Sequence, residues 1–406
     1  MALCVFPPST ESEQAMRRQW AHLILLTSVH GTVDFLGGII GPILPAIRDH
    51  FSLTLTQGMV VITAMGMACN LMQLVIGGLR QGNRRPFFMY VSLLLAGTFL
   101  LVGHLPVGLG STATVVMLVL IALVSGTGVA CGHPEGLRAV HALDRVPQSM
   151  ASSVFMIGGF LGFSAGAWLA SSVVGSWGLG SLVWLLALPA FLLVILPNSG
   201  VRVAVEHPAE STPSVVAGRP PFWPLFAIAM PLAICSAFVV NILPSCLVDE
   251  YHFKLSFGGA SSFAYGMGGA VGALLMGFHA HRKGEIRYVV PMLFASVPLT
   301  AAYIFLLEYK WAVLLLPGLG FAVAGSYPLL VSLAKRAGGP GLGHRMAIIV
   351  GGVWGTASVV LLASGVVADQ IGIHRVLHLT YVCAALAAGL AWRCRGLYAQ
   401  SRGHVG

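Results

Sequence analysis

Charge is what this sequence has least of. Only 9% of its 406 residues are Asp, Glu, Lys or Arg, against about 25% in an ordinary soluble domain. So few charges cannot clothe a water-facing surface, which excludes a soluble globular protein. No polar stretch is long enough for a nucleotide-binding domain, which excludes ATP-driven chemistry. The usual enzyme signatures are missing too: there is no P-loop, no G-x-S-x-G and no H-E-x-x-H. Seven cysteines are present, none spaced as C-x-x-C and most inside apolar segments, so they read as small interior residues. The first 19 residues are polar and lack the short apolar region of a secretory leader, so no cleaved signal is expected.

What is abundant is apolar sequence: 57% of the residues are hydrophobic and the mean hydropathy is +0.86. Runs of 18 or more apolar residues recur along the chain, each long enough to cross a hydrocarbon core of about 30 Å as a helix. Only helices and closed barrels can span lipid, because no backbone group can be left unpaired there. These runs are too long and continuous for barrel strands. The pattern predicts an all-α polytopic membrane protein with twelve spans, near 20–47, 57–79, 87–106, 114–135, 147–173, 177–196, 222–245, 257–278, 289–307, 312–334, 346–367 and 371–392. The longest polar interruption, Pro197–Pro221, divides them six and six. The expected domains are a bundle over 1–196, a linker over 197–221 and a second bundle over 222–406.

The formal charge of +9 has a distribution that explains it without nucleic acid. Of the 22 Lys and Arg, 18 fall in the loops on the side of the two termini, and 4 (Arg48, Lys254, Lys310 and Arg375) fall on the other. Positive residues collect in cytoplasmic loops, so both termini and the linker are expected in the cytoplasm. The halves also resemble each other. "HFSLTLTQGMVVITAMG" (His50–Gly66) aligns with "HFKLSFGGASSFAYGMG" (His252–Gly268) at an offset of 202, and "GGFLG" (Gly158–Gly162) matches "GGVWG" (Gly351–Gly355). Parallel six-span repeats imply two bundles related by an axis along the membrane normal, the plan of major facilitator transporters.

Polar residues at membrane depth are few. Of 13 acids, only Asp34 falls well inside a predicted span, in "HGTVDFLGG" (His30–Gly38). Insertion of a central Asp costs about 2.5–3.5 kcal/mol, so such a residue is a functional candidate. His30 lies one helical turn earlier on the same face. A carboxyl and an imidazole in a low-dielectric interior can exchange a proton near neutral pH. The two are candidates for proton coupling, or else a structural hydrogen-bonded pair.

A second cluster is "SGTGVACGHPEGLRAVHALDR" (Ser125–Arg145), where Gly126, Gly128, Gly132 and Pro134 make the helix breakable. His133, Glu135 and Arg138 follow and could hold a charged solute, latch a cytoplasmic gate, or act as capping charges. No metal site is expected, since His133 and His141 lack a paired Cys or His at ligand spacing. Gln73 in span two is a cavity-facing candidate. Asn241 in span seven could contact solute or bond another helix. "GGFLGFSAGAWLASS" (Gly158–Ser172) reads as a close-packing surface of small residues, or a sliding contact between halves.

The segments "HGTVD", "FSLTLTQ", "GTGVACGHPEGLR" and "GGFLGFSAGAWLA" resemble the fosmidomycin-resistance family of major facilitator drug exporters. The likeness covers most of the chain and is best over spans one to five. It implies export of a small compound in exchange for protons across a bacterial inner membrane, with His30, Asp34 and Gln73 at the family's polar positions. No cofactor beyond the proton gradient is implied, and the partners would be a solute, protons and lipid. A monomer is expected. The superfamily's G-x-x-x-D-R-x-G-R loop is altered: "GGLRQGNRR" (Gly77–Arg85) puts Gln81 at the acid's place, and "GFHAHRKGE" (Gly277–Glu285) puts His281 there. Arg80, Arg84, Arg85 and Arg282 keep the positive charge of that cytoplasmic gate while the acids are gone. Uptake of a small organic anion by proton symport, or a non-transporting receptor on the same fold, stay open from sequence.

Overall fold

The computed structural model describes residues 10–79, 83–205 and 219–399. Twelve helices in it are long and apolar enough to cross a membrane. They are α1 (Glu13–Phe51), α2 (Leu55–Gly78), α3 (Phe87–His104), α4 (Ser111–His141), α5 (Met150–Trp177), α6 (Leu179–Asn198), α7 (Trp223–Glu250), α8 (Leu255–Ala280), α9 (Ile286–Phe305), α10 (Lys310–Arg336), α11 (Leu342–Ile371) and α12 (Ile373–Tyr398). Each predicted span falls on one of them. Hydropathy and length are strong enough signals to carry this, because a lipid-crossing backbone must bond within its own helix.

The packing repeats after six helices. In the first set α1 packs on α5 and α2 on α4; in the second α7 packs on α11 and α8 on α10. Between the sets α5 packs on α8, and α11 on α2. A shift of six helices turns each of these two contacts into the other, as a pseudo-two-fold axis between two six-helix bundles requires. The repeat is visible in the backbone as well. Ser52 (φ 53°) and His252 (φ 54°) both turn left-handed just before α2 and α8, which begin at Leu55 and Leu255. The structural offset at this turn is therefore 200, not the 202 of the sequence alignment, because the turn fixes register and the aromatic match does not.

Two local expectations change. Span one is interrupted: its first helix ends at Gly37 and a second begins at Ile40. Gly38 bonds back to the carbonyls of Asp34 and Phe35 at 2.9 and 3.2 Å. A side chain at Gly38 would meet the backbone of Phe163 at 3.1 Å or closer, so glycine is needed where the chain turns against α5. Span four, by contrast, is not broken. It runs helical from Ser111 to His141 through Pro134. Its glycines serve close packing: a Cβ on Gly126 would press on the Met65 carbonyl, and one on Gly128 on the backbone of Leu95–Ala96.

The halves are joined by polar links at the end opposite the termini. Arg48 at the end of α1 pairs with Asp249 at the end of α7. Asp369 at the end of α11 accepts from the backbone N–H groups of Leu55 and Thr56 at 3.1 and 2.9 Å, capping α2 across the divide. Thr63 donates to the Ser358 carbonyl at 2.9 Å further along the same helix pair.

Candidate functional site

The site forms where α1, α4 and α5 meet beside the break in α1. What brings α1 against α5 is the absence of side chains. A Cβ on Gly31 would lie 2.9 Å from the Gly158 carbonyl oxygen, and Cβ atoms on Gly162 and Gly166 would run into the carbonyls of Gly31 and Phe35. The small-residue segment thus packs on α1 with one face. With the other, through Ser164, Ala167 and Ser171, it meets Gly266 and Gly259 of α8. The close packing expected of it is present, both within a half and between halves.

This contact lays the His30 ring on the Phe155 ring, centroids 4.0 Å apart and planes within 10°. It also puts His30 Nδ1 2.7 Å from the Phe155 carbonyl oxygen. On α4, His133 Nδ1 lies 2.9 Å from the Val129 carbonyl oxygen. Asp34 stands between the two rings. His133 Nε2 is 2.9 Å from its Oδ1, and His30 Nε2 is 3.3 Å from its Oδ2. The imidazoles sit edge to face, 5.2 Å apart. Asp34 and His133 keep 20% and 26% side-chain exposure while His30 is buried.

The partners fix the tautomers. A carbonyl oxygen can only accept, so each Nδ1 carries a hydrogen and donates it. Each Nε2 then faces a carboxylate oxygen, and without a proton that contact would set lone pair against lone pair. Two protons satisfy both contacts and leave the cluster at +1. One proton leaves it neutral, and none leaves it at −1. The arrangement joins three titratable side chains around the acid singled out in the sequence.

The other predicted residues are placed as follows. Of His133, Glu135 and Arg138, His133 alone joins Asp34. Glu135 is 2% exposed and accepts from the Met89 N–H at 2.9 Å, tying down the start of α3. Arg138 is 5% exposed and donates to the carbonyls of Ala204 and Asn83, at 2.7 and 3.1 Å from its Nη2, pinning the linker and the α2–α3 connection to α4. Gln73 is partly buried on α2 and donates weakly to Cys69 Sγ at 3.7 Å; Cys69 lies within electrostatic reach of Asp34. Asn241 bonds its own helix, donating to the Ala237 carbonyl at 2.9 Å, where α7 crosses Gly41 of α1. Arg84 and Arg85 are exposed in the α2–α3 connection, and Arg85 lines a recess of about 490 Å³ with Asn83, Phe87 and Tyr90, apart from the Asp34 cluster. Arg80 and Gln81, like the side chains of His281 and Arg282, lie outside the described residues. The role of His133 as a partner of Asp34 is missed by sequence spacing, because α4 brings it in from far along the chain.

The fold is a pair of packed six-helix sets with a polar cluster between helices of the first, and comparison with known proteins places it in a family. The profile of the Major Facilitator Superfamily matches residues 26–360, and the chain belongs to that superfamily of transporters. It is similar to the fosmidomycin resistance protein of Escherichia coli (strain K12), 23% identical over 367 residues that cover 87% of each chain. It is also similar to the uncharacterized MFS-type transporter YfnC of Bacillus subtilis (strain 168), 24% identical over 86% of this chain and 87% of that one. Among solved structures, a bacterial homolog of the human lysosomal transporter Spinster, in an inward-facing and occupied conformation, superposes with TM-score 0.72 at 14% identity, covering 95% of this chain and 99% of the other. The nucleoside transporter NupG gives TM-score 0.68 at 14% identity over 93% and 100%. At such identities the structural likeness speaks for the fold.

Proposed function

We propose that this transporter exports a small organic compound in exchange for protons, across a bacterial inner membrane with both termini in the cytoplasm. The observation that carries the reading is the His30–Asp34–His133 cluster, whose contacts need protons to be satisfied. The 23% identical relative named for fosmidomycin resistance supports export over uptake. The charge bias of the loops supports the orientation. In that orientation the Arg48–Asp249 pair and the Asp369 cap lie at the periplasmic end.

The cycle follows from charge. One proton taken up from the periplasm brings the cluster from −1 to neutral, which lowers the cost of burying it while the halves rock. Facing the cytoplasm it loses that proton, and solute binds to the emptied site. The two-state equilibrium is biased only by the difference in proton affinity between the two conformations. A broad screen of solutes for thermal stabilisation of the purified protein, followed by flux of each hit in proteoliposomes under an imposed pH gradient, tests this. At least one stabilising solute is expected to move saturably against the proton gradient. Saturable binding with no flux in either direction would overturn transport of that solute in favour of a receptor role.

A further inference from the structure

Two imidazole nitrogens and one carboxylate oxygen lie within 4.8 Å of one another, a donor set suited to more than protons. We propose that His30, Asp34 and His133 bind one divalent first-row transition ion, Zn²⁺ or Ni²⁺, in place of the two protons.

Four features of the cluster carry this. Its three donor atoms all lie within 4.8 Å of one another. The carboxylate stands between the two rings, with Oδ1 2.9 Å from His133 Nε2 and Oδ2 3.3 Å from His30 Nε2, so both imidazoles present the nitrogen that would ligate. Each ligating histidine already has its outer nitrogen engaged: Nδ1–H donates to the carbonyl of Phe155 or Val129. A backbone carbonyl on the outer nitrogen is the support that orients metal-bound imidazoles and strengthens them as ligands. Finally, the charges match. One divalent ion on a carboxylate and two neutral imidazoles gives +1, the same as the doubly protonated cluster, so the surrounding helices meet the same charge. Imidazole with one carboxylate selects zinc, nickel or copper over magnesium and calcium.

Binding of the ion requires both Nε2 atoms to be free of protons, so affinity falls as pH falls. The titratable groups around the cluster are its own three side chains, from α1 and α4, and Cys69 of α2; α5 contributes Phe155, Gly158 and Gly159, which do not titrate. The proposal uses the same side chains as the proton reading, but its test needs no solute and no gradient.

The full-length protein, purified without a histidine tag and stripped with chelator, is titrated with Zn²⁺ and separately with Ni²⁺ by calorimetry, with bound metal counted by atomic emission. One ion per chain is expected at pH 7.5, with weaker binding at pH 5.5. Asp34→Asn and His133→Gln are each expected to lower affinity by about tenfold or more, while circular dichroism and melting show both variants folded. The double variant His374→Gln, His378→Gln removes another close imidazole pair, with centroids 5.0 Å apart, and is expected to leave the stoichiometry at one. Absence of saturable binding to folded wild-type protein would overturn the proposal. So would binding that survives His133→Gln, or that disappears with the His374 and His378 pair. Proton-coupled flux in chelator-treated vesicles stands or falls separately.

Discussion

At the scale of the residue, the decisive fact is a division of labour within "GHPEGLR". His133 turns to Asp34 while Glu135 and Arg138, two and five residues on, bond backbone groups of Met89, Ala204 and Asn83. The two kinds of role predict different phenotypes. His133→Gln is expected to lower proton-coupled flux by about tenfold or more with little change in melting temperature. Glu135→Ala leaves the Met89 N–H without its carboxylate acceptor, which costs about 1–3 kcal/mol for a buried donor. It is expected to lower the melting temperature by several degrees. Flux per folded molecule and thermal melts of the two purified variants check this, and reversed phenotypes would exchange the roles. The sequence made Asp34 and His30 legible because one intramembrane acid stands out, and a helix puts residues four apart on one face. His133 as their third member was not legible, because its approach is a property of how α4 packs.

At the scale of the element, helix contacts made by glycine set the site. Gly31, Gly158 and Gly162 allow α1 and α5 to touch backbone to backbone, and the His30–Phe155 stack follows from that closeness. In lipid no hydrophobic force drives such contacts, so close packing must supply the attraction. Gly162→Leu is therefore expected to destabilise by more than the about 1–3 kcal/mol typical of overpacking, since its Cβ would meet the Gly31 backbone. Gly389→Leu, where a Cβ meets nothing within 4 Å, is expected to be tolerated. Fluorescence-detected size-exclusion after heating distinguishes them, and equal loss in both would refute the contact. The spans themselves were legible from hydropathy. The break was misplaced, because glycines in α4 and at Gly38 look alike in sequence. Only the neighbours say that the first serve packing and the second a turn.

At the scale of the whole molecule, the six-helix repeat was legible in the even span count, the charge bias and the paired segments, whereas the conformational state was not. It depends on contacts between halves, Arg48 with Asp249 and Asp369 with the start of α2. If these hold the periplasmic end shut, Arg48→Glu is expected to open it, and Arg48→Glu with Asp249→Arg to close it again. An impermeant maleimide applied from the periplasm should modify Cys69, which is partly exposed near the site, in the single variant but not in wild type or the double variant. Equal labelling in all three would remove the latch. The central claim is that protons drive transport through Asp34. It is tested most directly by flux of a solute identified by stabilisation, in proteoliposomes with an imposed pH gradient, comparing wild type with folded Asp34→Asn. The account predicts gradient-driven flux in wild type and none in Asp34→Asn; unchanged pH-driven flux in the variant would contradict it.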